Sequence, residues 1–248
     1  MTGSDFFSRN AGAYAKSSSH AGGTDLGLLV EQLAVKQNEM AIDVATGTGF
    51  TAIAIAESAR AVTGVDPNYK MIREAGKLAE AKGVKNLELV IGQAERLPVS
   101  TSSFHVATCR RAAHHFVNKP AFLSEVYRIL APGGRFGLVD MVPPDGHADE
   151  FNRLEIARDN SHVWAEEVPS WRLLAGEAGF EIAACRTEAE RMTFEKWIYP
   201  VAPDGEDAAA CRKMLREADD SFASAIGLDG DLSFSKGRMV LIARRPLQ

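Results

Sequence analysis

The sequence predicts an α/β protein with a doubly wound, mostly parallel sheet of seven strands and a helical cap insertion before the last strand. The first observation behind this is that apolar, strand-like runs alternate with stretches of helical periodicity from Met40 to Asp140. The second is a bare glycine turn, Gly47-Thr48-Gly49, that directly follows the first run. Such alternation is typical of βαβ units, in which helices cover both faces of a parallel sheet.

The parallel part of the sheet is predicted from five apolar runs. They are Met40–Ala45, Ala61–Asp66, Leu87–Ile91, His105–Arg110 and Arg135–Asp140. Helical periodicity is clearest over Asn68–Lys82, which Gly83 follows as a stop signal, and over Lys119–Leu130, which ends before a Pro-Gly-Gly turn. These elements account for the core of the predicted fold.

The carboxyl-terminal part departs from this regular pattern. A helix is predicted over Glu150–His162, and two further strands over Glu181–Glu188 and Arg238–Arg244. A helix over Glu206–Ile226 is predicted between those strands, and the segment 190–236 is too long for a hairpin turn. We therefore expect it to be a cap over the site or an oligomer contact, within a domain 35–248 that an amino-terminal helical lid, 1–34, precedes.

Composition limits the classes of partner. The 248 residues include 33 acidic and 28 basic side chains, and the basic ones form no stripe, so nucleic acid is not an expected substrate. The amino terminus has neither a basic nor an apolar leader region, and no stretch approaches a membrane span, which predicts a cytoplasmic protein without a membrane partner. Three scattered cysteines, Cys109, Cys185 and Cys211, are typical of reduced thiols.

The glycine turn and the next strand end predict a nucleoside cofactor. Glycine lets the backbone approach a ligand closely, as Gly47 and Gly49 would after the first strand. Asp66 ends the following strand, where its two oxygens can accept hydrogen bonds from both hydroxyls of an unphosphorylated ribose. Together with Ala52 the two glycines also match a weak dinucleotide fingerprint, so an NAD-type oxidoreductase stays open at this point.

Four motifs in a fixed order are more specific than any one of them. They are Asp43-x-Ala45-x-Gly47-x-Gly49, then Asp66, then Gly92-Gln93-Ala94-Glu95-Arg96-Leu97-Pro98, and finally Pro132-Gly133-Gly134-Arg135. This series resembles the Rossmann-like class I S-adenosylmethionine-dependent methyltransferases over residues 35–185 and the final strand. It is closest to the branch that includes the ubiquinone/menaquinone C-methyltransferases, and the segments 111–116 and 158–162 resemble signatures of one small-molecule subgroup.

The resemblance implies that S-adenosyl-L-methionine is the cofactor and S-adenosyl-L-homocysteine the product. Asp43 would lie near the amino end of the methionine, Asp66 would hold the ribose, and Met71 would pack against the adenine. Gln93 stands where the family often has Asp, and a neutral acceptor makes a weaker hydrogen bond to the adenine amino group. The implied cofactor-binding set is Tyr14, Asp43, Ala45, Gly47, Gly49, Asp66, Pro67, Met71, Gln93, Ala94, Glu95 and Arg110.

Candidate catalytic and substrate-binding residues follow the fourth strand and the fifth. His114 and His115 come just after a strand end, where ligands of parallel sheets bind, so they are candidate general bases, with His114 preferred. Arg111 is a candidate substrate ligand beside them, and its charge favours an anionic or carbonyl-bearing substrate. Glu155, Arg158 and His162, with Asp159, have the spacing of one helix face and are further candidates. No metal site is predicted, because paired inward histidines are missing from this face.

The leading hypothesis is an enzyme that transfers a methyl group from S-adenosylmethionine to carbon or oxygen of a small metabolite. A homodimer is a possible assembly. Two alternatives stay open on the sequence alone: an NAD-type oxidoreductase, and a cofactor-binding regulatory protein that transfers no methyl group.

Overall fold

The computed structural model of the chain describes residues 3–15 and 21–247, so residues 1–2 and 16–20 of the predicted lid lie outside it. The described part contains a seven-stranded sheet in the order β3-β2-β1-β4-β5-β7-β6, with β7 antiparallel to both neighbours. The strands are β1 (Met40–Val44), β2 (Ala61–Asp66), β3 (Leu87–Ile91), β4 (Phe104–Arg110), β5 (Leu130–Val142), β6 (Glu181–Met192) and β7 (Phe234–Arg244). The predicted α/β fold class is confirmed.

Helices cover both faces of the sheet and form the insertion. They are α1 (Gly3–Ala15), α2 (Thr24–Leu33), α3 (Phe50–Ala56), α4 (Tyr69–Ala81), α5 (Lys119–Ile129), α6 (Ala148–Arg158), α7 (Val168–Glu177), α8 (Phe194–Ile198), α9 (Glu206–Arg216) and α10 (Asp220–Ile226), with a 3₁₀ turn at Ala113–His115. Among the described residues, no helix is long and apolar enough to cross a membrane.

The register of the parallel strands brings their carboxyl ends to one edge. In β1, Asp43 pairs with Gly64 of β2 on one side and with Thr108 of β4 on the other. The loops that follow these three strands therefore leave the sheet side by side. The chain order reverses at β1, and such a switch point opens a crevice for ligands in parallel α/β sheets.

Three apolar clusters hold the layers together. On one face, Phe122 of α5, Trp171 of α7 and Phe136 of β5 are fully buried, and on the other face Leu29 of α2 and Ile55 of α3 are. The third cluster joins α6 to the insertion through apolar side chains that are almost fully buried, among them Phe151, Leu154, Trp197, Cys211 and Phe222. Residues 193–233 thus have an apolar core of their own on the edge of the sheet.

The structure corrects three predicted element boundaries. The single helix over Glu206–Ile226 is wrong: the chain breaks at residues 217–219, and the Asp219 carboxylate accepts a hydrogen bond from the Phe222 amide to start α10. The helix predicted over Glu150–His162 ends at Arg158, because the following residue is extended. Strand β6 continues to Met192, so the insertion between β6 and β7 is 193–233 rather than 190–236.

Gly137 provides a test of how tightly α2 packs on the sheet. A Cβ atom there would lie 2.4 Å from Leu29 Cδ1 and 3.0 Å from Leu33 Cδ1, both in the fully buried face. We expect Gly137→Ala to lower the free energy of unfolding by about 1–3 kcal/mol, because the helix must shift. Urea denaturation measures this.

The matched control is the same substitution at Gly76, in the middle of α4, where the nearest atom to a new Cβ is 3.7 Å away. Gly76→Ala should raise the free energy of unfolding by about 0.5–1 kcal/mol through helix propensity. Equal effects of the two substitutions would contradict the close packing at Gly137.

Candidate active site

A cavity of about 610 Å³ lies at the carboxyl edge of β1, β2 and β4. Its volume is in the range of small-molecule sites, roughly 300–1,000 Å³. Predicted site residues that line it are Tyr14, Ala45, Gly47, Asp66, Pro67, Met71, Gln93, Ala94, Glu95, Arg110, Arg111 and His115. The other predicted residues, Asp43, Gly49, His114, Glu155, Arg158 and His162, do not border it.

The loop after β1 shapes one wall of the cavity. Ala45 and Gly47 have positive φ angles of 55° and 53°, a region that non-glycine residues seldom adopt. The Thr46 amide donates to the Val65 carbonyl at 2.9 Å, which ties the loop to β2. A Cβ atom on Gly47 would meet no protein atom within 4 Å. The loop therefore exposes bare backbone to the cavity.

Gly49 serves the packing of helices beneath this loop. Its φ is 85°, and a Cβ atom there would lie 3.0 Å from Cβ of Ala75. Gly49 precedes the first residue of α3, and Ala75 is a fully buried residue of α4. A side chain at this position would separate α3 from α4, which explains the glycine without a ligand.

The Asp66 carboxylate joins the cavity wall to the loop. Its Oδ2 accepts from the Gly47 amide at 2.9 Å, and its Oδ1 accepts from the Asn68 amide at 2.8 Å. Burial raises the pKa of Asp66 to about 6, although these two hydrogen bonds favour the ionised form. Each oxygen has a further lone pair, so the carboxylate can also accept hydrogen bonds from a ligand.

Asp43 lies behind the loop rather than in the cavity. It is almost fully buried, and its two oxygens accept hydrogen bonds of 2.7 Å from the hydroxyls of Thr46 and Thr108. Burial raises the pKa of Asp43 to about 6, while the two hydroxyls lower it. The position explains how Asp43 braces the turn between β1 and α3.

His115 presents one specific nitrogen to the cavity. Its Nδ1 lies 2.9 Å from the Ser161 carbonyl oxygen, which can only accept a hydrogen bond, so Nδ1 carries the proton. In the neutral ring Nε2 is then the basic nitrogen. Burial lowers the pKa of His115 below its usual value of 6.5, against the opposing effect of Asp159. The Phe7 ring packs against the imidazole at 4.9 Å in an edge-to-face arrangement.

His114, the preferred base of the sequence analysis, is turned into the protein. Its Nδ1 lies 2.5 Å from Asp140 Oδ1 and its amide donates to Asp140 Oδ2 at 2.8 Å, while the imidazole is almost fully buried. Burial lowers the pKa of His114 well below its usual value. The ring contacts that of His115 in a tilted arrangement, with the centroids 4.1 Å apart and the planes at 45°. The structure therefore brings His115, and not His114, to the cavity wall.

Glu155 and Arg158 belong to a closed ion-pair network. Glu155 is fully buried, and its Oε1 accepts from Lys236 Nζ at 2.5 Å and from Trp197 Nε1 at 3.0 Å. Its Oε2 accepts from Arg158 Nε at 3.1 Å. Burial alone would raise the pKa of Glu155, but the Lys236 and Arg158 cations outweigh it and hold that pKa well below its usual range. This network links α6, α8 and β7, and the charges of Arg158 and Glu155 also act on the hydroxyl of Tyr14, which borders the cavity.

His162 does not share the helix face predicted for it, because α6 ends four residues earlier. Its Nε2 lies 2.6 Å from Asn152 Oδ1, which also accepts from the Ala165 amide. Since Asn152 Oδ1 is an acceptor, the His162 proton is on Nε2. Burial lowers the pKa of His162 to about 3, so the ring is neutral.

Arg111 has a strained backbone at the end of β4. Its φ is 57°, and its amide donates to the Val139 carbonyl at 2.7 Å. The guanidinium binds Asp25 of α2 through two hydrogen bonds, Nε to Oδ2 at 2.7 Å and Nη2 to Oδ1 at 2.9 Å. Non-glycine residues seldom adopt this region of φ.

Sequence reasoning missed part of the cavity wall. Thr46 and Thr48 lie inside the glycine motif and Ser161 inside a quoted signature, so their positions carried a signal. Ala112 and Phe116 likewise lie inside the segment 111–116. The other missed residues come from scattered elements and carried no signal that a single chain reveals. They are Phe7, Phe50, Thr51, Asn68, Val117 and Asn118.

Comparison with known proteins identifies the family. Residues 35–196 match a family described as a methyltransferase domain. The chain is a class I S-adenosylmethionine-dependent methyltransferase. An uncharacterized methyltransferase of Bacillus subtilis, YcgJ, is 38% identical over 208 residues, which are 82% of this chain and 78% of that protein. The crystal structure of a putative methyltransferase from Bacillus halodurans superposes with a TM-score of 0.84 at 32% identity, covering 90% of this chain and 100% of that one.

One relative comes from the ubiquinone/menaquinone C-methyltransferase branch that the sequence motifs predict. A demethylmenaquinone methyltransferase of Lactobacillus johnsonii is 31% identical over 118 residues, which are 46% of this chain and 48% of that protein. These findings confirm the predicted enzyme class and decide against the NAD-type oxidoreductase. They establish methyl transfer in general and leave the acceptor to be inferred.

The buried network around Glu155 generates a prediction about stability. We expect Glu155→Gln to lower the free energy of unfolding by about 3–5 kcal/mol at neutral pH, because it leaves Lys236 and Arg158 without their shared carboxylate. Since the folded-state pKa of Glu155 lies below its usual 4.5, this stabilisation is present above that value and is lost as the pH falls through the folded-state pKa. Urea denaturation at several pH values measures it.

The control is Glu150→Gln on the same helix, where the carboxylate is 31% exposed and lies 3.5 Å from Arg153. Its effect should stay within about 0.5 kcal/mol. A loss at Glu155 no larger than at Glu150 would show that the buried network does not stabilise the fold.

Proposed function

We propose that the cavity binds S-adenosylmethionine and that the protein transfers its methyl group to carbon or oxygen of a small metabolite, with His115 as the general base. The observation that carries this proposal is the pairing of the Gly47 amide with the Asp66 carboxylate on the cavity wall. This hydrogen bond connects the exposed backbone turn to a carboxylate that can accept hydrogen bonds from ribose hydroxyls.

The turn fits the methionine portion of the cofactor. Because a Cβ atom on Gly47 would meet only open space, the protein leaves room there for another molecule. S-Adenosylmethionine has no pyrophosphate, so the turn has to clear a slim chain rather than surround phosphates. Asp43 lies behind the turn and contributes negative charge near the cationic end of such a chain.

The ribose and adenine portions match the neighbouring wall. Asp66 offers two carboxylate oxygens for the ribose hydroxyls. Met71 is almost fully buried on α4 and supplies an apolar surface for the adenine ring. Gln93 and Ala94 lie on the same wall, where the amide oxygen of the first and the backbone amide of the second suit the polar edge of adenine.

When bound, the cofactor supplies a methyl group on a sulfonium, which an acceptor atom takes by in-line displacement. The protein contributes mainly by holding the acceptor in line and keeping water out. For an acceptor that must lose a proton, His115 Nε2 is the group that accepts it, since Nδ1 is committed to the Ser161 carbonyl. The lowered pKa of His115 keeps this nitrogen free of a proton near neutral pH.

Helix α1 acts as a lid in this proposal. Phe7 and Tyr14 border the cavity, and Ser8 Oγ accepts a hydrogen bond of 3.0 Å from the Asn68 side chain, which also caps α4. Burial raises the pKa of Tyr14, so its hydroxyl keeps its proton. Closing α1 over the site would exclude water from the methyl group.

The acceptor is small and partly apolar. Beyond the residues assigned to the cofactor, the cavity wall includes Phe7, Phe50, Phe116 and Val117. Aromatic side chains of this kind favour a compact, apolar molecular body. No contiguous basic surface that would bind a nucleic acid is evident in the sequence.

Calorimetric titration with S-adenosylhomocysteine, with NADH as the comparison ligand, tests the cofactor assignment. We expect one-to-one binding of the first and none of the second. A panel of small metabolites, assayed for release of S-adenosylhomocysteine, then tests methyl transfer. Binding of NADH alone, or cofactor binding without turnover of any acceptor while a partner protein copurifies, would contradict the proposal.

The Asp66 carboxylate predicts a pH-dependent affinity. Because its pKa is about 6, the affinity of the wild type for S-adenosylhomocysteine should fall about tenfold for each pH unit below 6, as the ionised acceptor is lost. Asp66→Asn should bind about 10-fold to 100-fold more weakly at pH 8, and its affinity should fall less steeply below pH 6, because Asp66 no longer titrates while Asp43, whose pKa is also about 6, still does. Titration calorimetry from pH 5 to 8 measures both, and an identical pH profile in the variant would refute the assigned role.

His115→Gln tests the general base. We expect kcat to fall by about 10²–10⁴-fold with an acceptor that loses a proton, while the affinity for S-adenosylhomocysteine stays unchanged. His105→Gln is the control, because His105 is exposed and bonds the Met40 amide at the opposite end of the sheet. Unchanged kcat in His115→Gln would rule out proton transfer by this residue.

A further inference from the structure

A second cavity, of about 850 Å³, adjoins the first and is lined by charged residues. Arg111 belongs to the walls of both cavities. The second cavity continues along Arg238 of β7 and along β6 at Glu188 and Glu190. Arg111 is therefore the residue at which a ligand of the first cavity would come nearest to the charged residues of the second.

Arg111 and Arg238 share one carboxylate. Arg111 donates to both oxygens of Asp25, and Arg238 Nε lies 3.8 Å from Asp25 Oδ2, which is too long for a hydrogen bond. Arg110 also approaches Asp25, at 4.0 Å. The three side chains of Arg111, Arg238 and Asp25 are only 9%, 12% and 2% exposed. The buried Asp25 carboxylate is thus shared by Arg111 and Arg238, two of the three arginines that line the second cavity, the third being Arg191.

The other carboxylates nearby have partners of their own. Glu190 binds Lys196 at 2.7 Å and lies 3.8 Å from Arg238 Nη2. Glu188 accepts from the Thr24 hydroxyl at 3.4 Å. Asp140 accepts hydrogen bonds from the backbone amides of His114 and Met141. Arg238 therefore keeps donor capacity for a further acceptor.

Arg111 also keeps a hydrogen-bond donor for a further acceptor. Its Nε and Nη2 bind Asp25, which leaves Nη1 without an acceptor among the described residues. Protein atoms do not enclose Nη1, so this nitrogen faces open space. The Arg111 side chain thus combines a donor facing open space with a position in the walls of both cavities.

We propose that the methyl acceptor carries an oxyanion group, a carboxylate or a phosphate, that binds the donors of Arg111 and Arg238 that Asp25 leaves free. The proposal rests on the proposed function, since it assigns the acceptor of the same active site. Arginine can donate two parallel hydrogen bonds to a carboxylate or a phosphate, which orients the ligand as well as attracting it. Since Asp25 takes two donors of Arg111, the parallel pair comes from Arg238, and Arg111 adds a hydrogen bond from Nη1. The oxyanion group of the acceptor lies beside Arg111, and the apolar body of the acceptor extends along the wall of the first cavity that includes His115.

Inorganic phosphate is the probe for this site. Calorimetric titration at constant ionic strength is done with the wild type alone and with the wild type saturated with S-adenosylhomocysteine. We expect phosphate to bind in both cases, because Arg238 is not part of the cofactor cavity. Phosphate that S-adenosylhomocysteine displaces would instead occupy the place of the cofactor carboxylate and would overturn the proposal. Absence of phosphate binding to the wild type would overturn it too.

Variants of Arg238 make the test specific. Arg238→Gln should weaken phosphate binding at least tenfold, Arg238→Lys should restore part of it, and both should bind S-adenosylhomocysteine as the wild type does, which also shows that they are folded. Arg153→Gln removes an exposed cation and is the control. Phosphate affinity that is equal in Arg238→Gln and the wild type would show that the arginine pair is not an anion site. If the wild type binds phosphate but does not bind S-adenosylhomocysteine, the result counts against the proposed function and not against the anion site.

Discussion

The Asp66 carboxylate is the interaction on which the arrangement of the cavity depends. One oxygen fixes the glycine turn after β1, and the other fixes the segment that leads into α4. Asn68 carries this restraint further, because its side chain both caps α4 and bonds Ser8 of α1. The glycine turn, α4 and α1 are therefore positioned from one buried strand end. Burial of the carboxylate in the cavity wall raises the pKa of Asp66 to about 6.

The same edge of the sheet fixes the chemistry of the histidines. His114 and His115 are neighbours in the chain, yet the 3₁₀ turn at the end of β4 sends one ring toward Asp140 and the other toward the cavity. A carbonyl partner on Nδ1 makes Nε2 the basic atom of His115, whereas a carboxylate partner holds His114 inside the protein. Which imidazole can act is thus decided by the hydrogen-bond partner, and adjacency in sequence says little about it.

The features that the sequence predicts well are those that repeat locally. The strands, the glycine turn and Asp66 at the end of β2 follow from short-range patterns, and the family motifs add Met71, Gln93 and Ala94 to the same wall. Glu155 and Arg158 were expected to bind substrate, because their spacing marks a shared helix face. Their partner Lys236 lies 81 residues from Glu155 on β7, and nothing near either residue signals that contact. Asp25 and Arg111 are 86 residues apart, and no local sequence pattern predicts their contact either.

Two buried ion clusters show why burial alone does not identify a functional charge. Around Glu155 one carboxylate receives both cations and an indole N–H, and none of these groups borders the cavity, so the cluster serves the fold. Around Asp25 one carboxylate is again shared, but Arg111 borders two cavities and holds a strained backbone there. The difference between the clusters is therefore their relation to the cavities, and this difference is the basis for proposing that Arg111 binds a ligand.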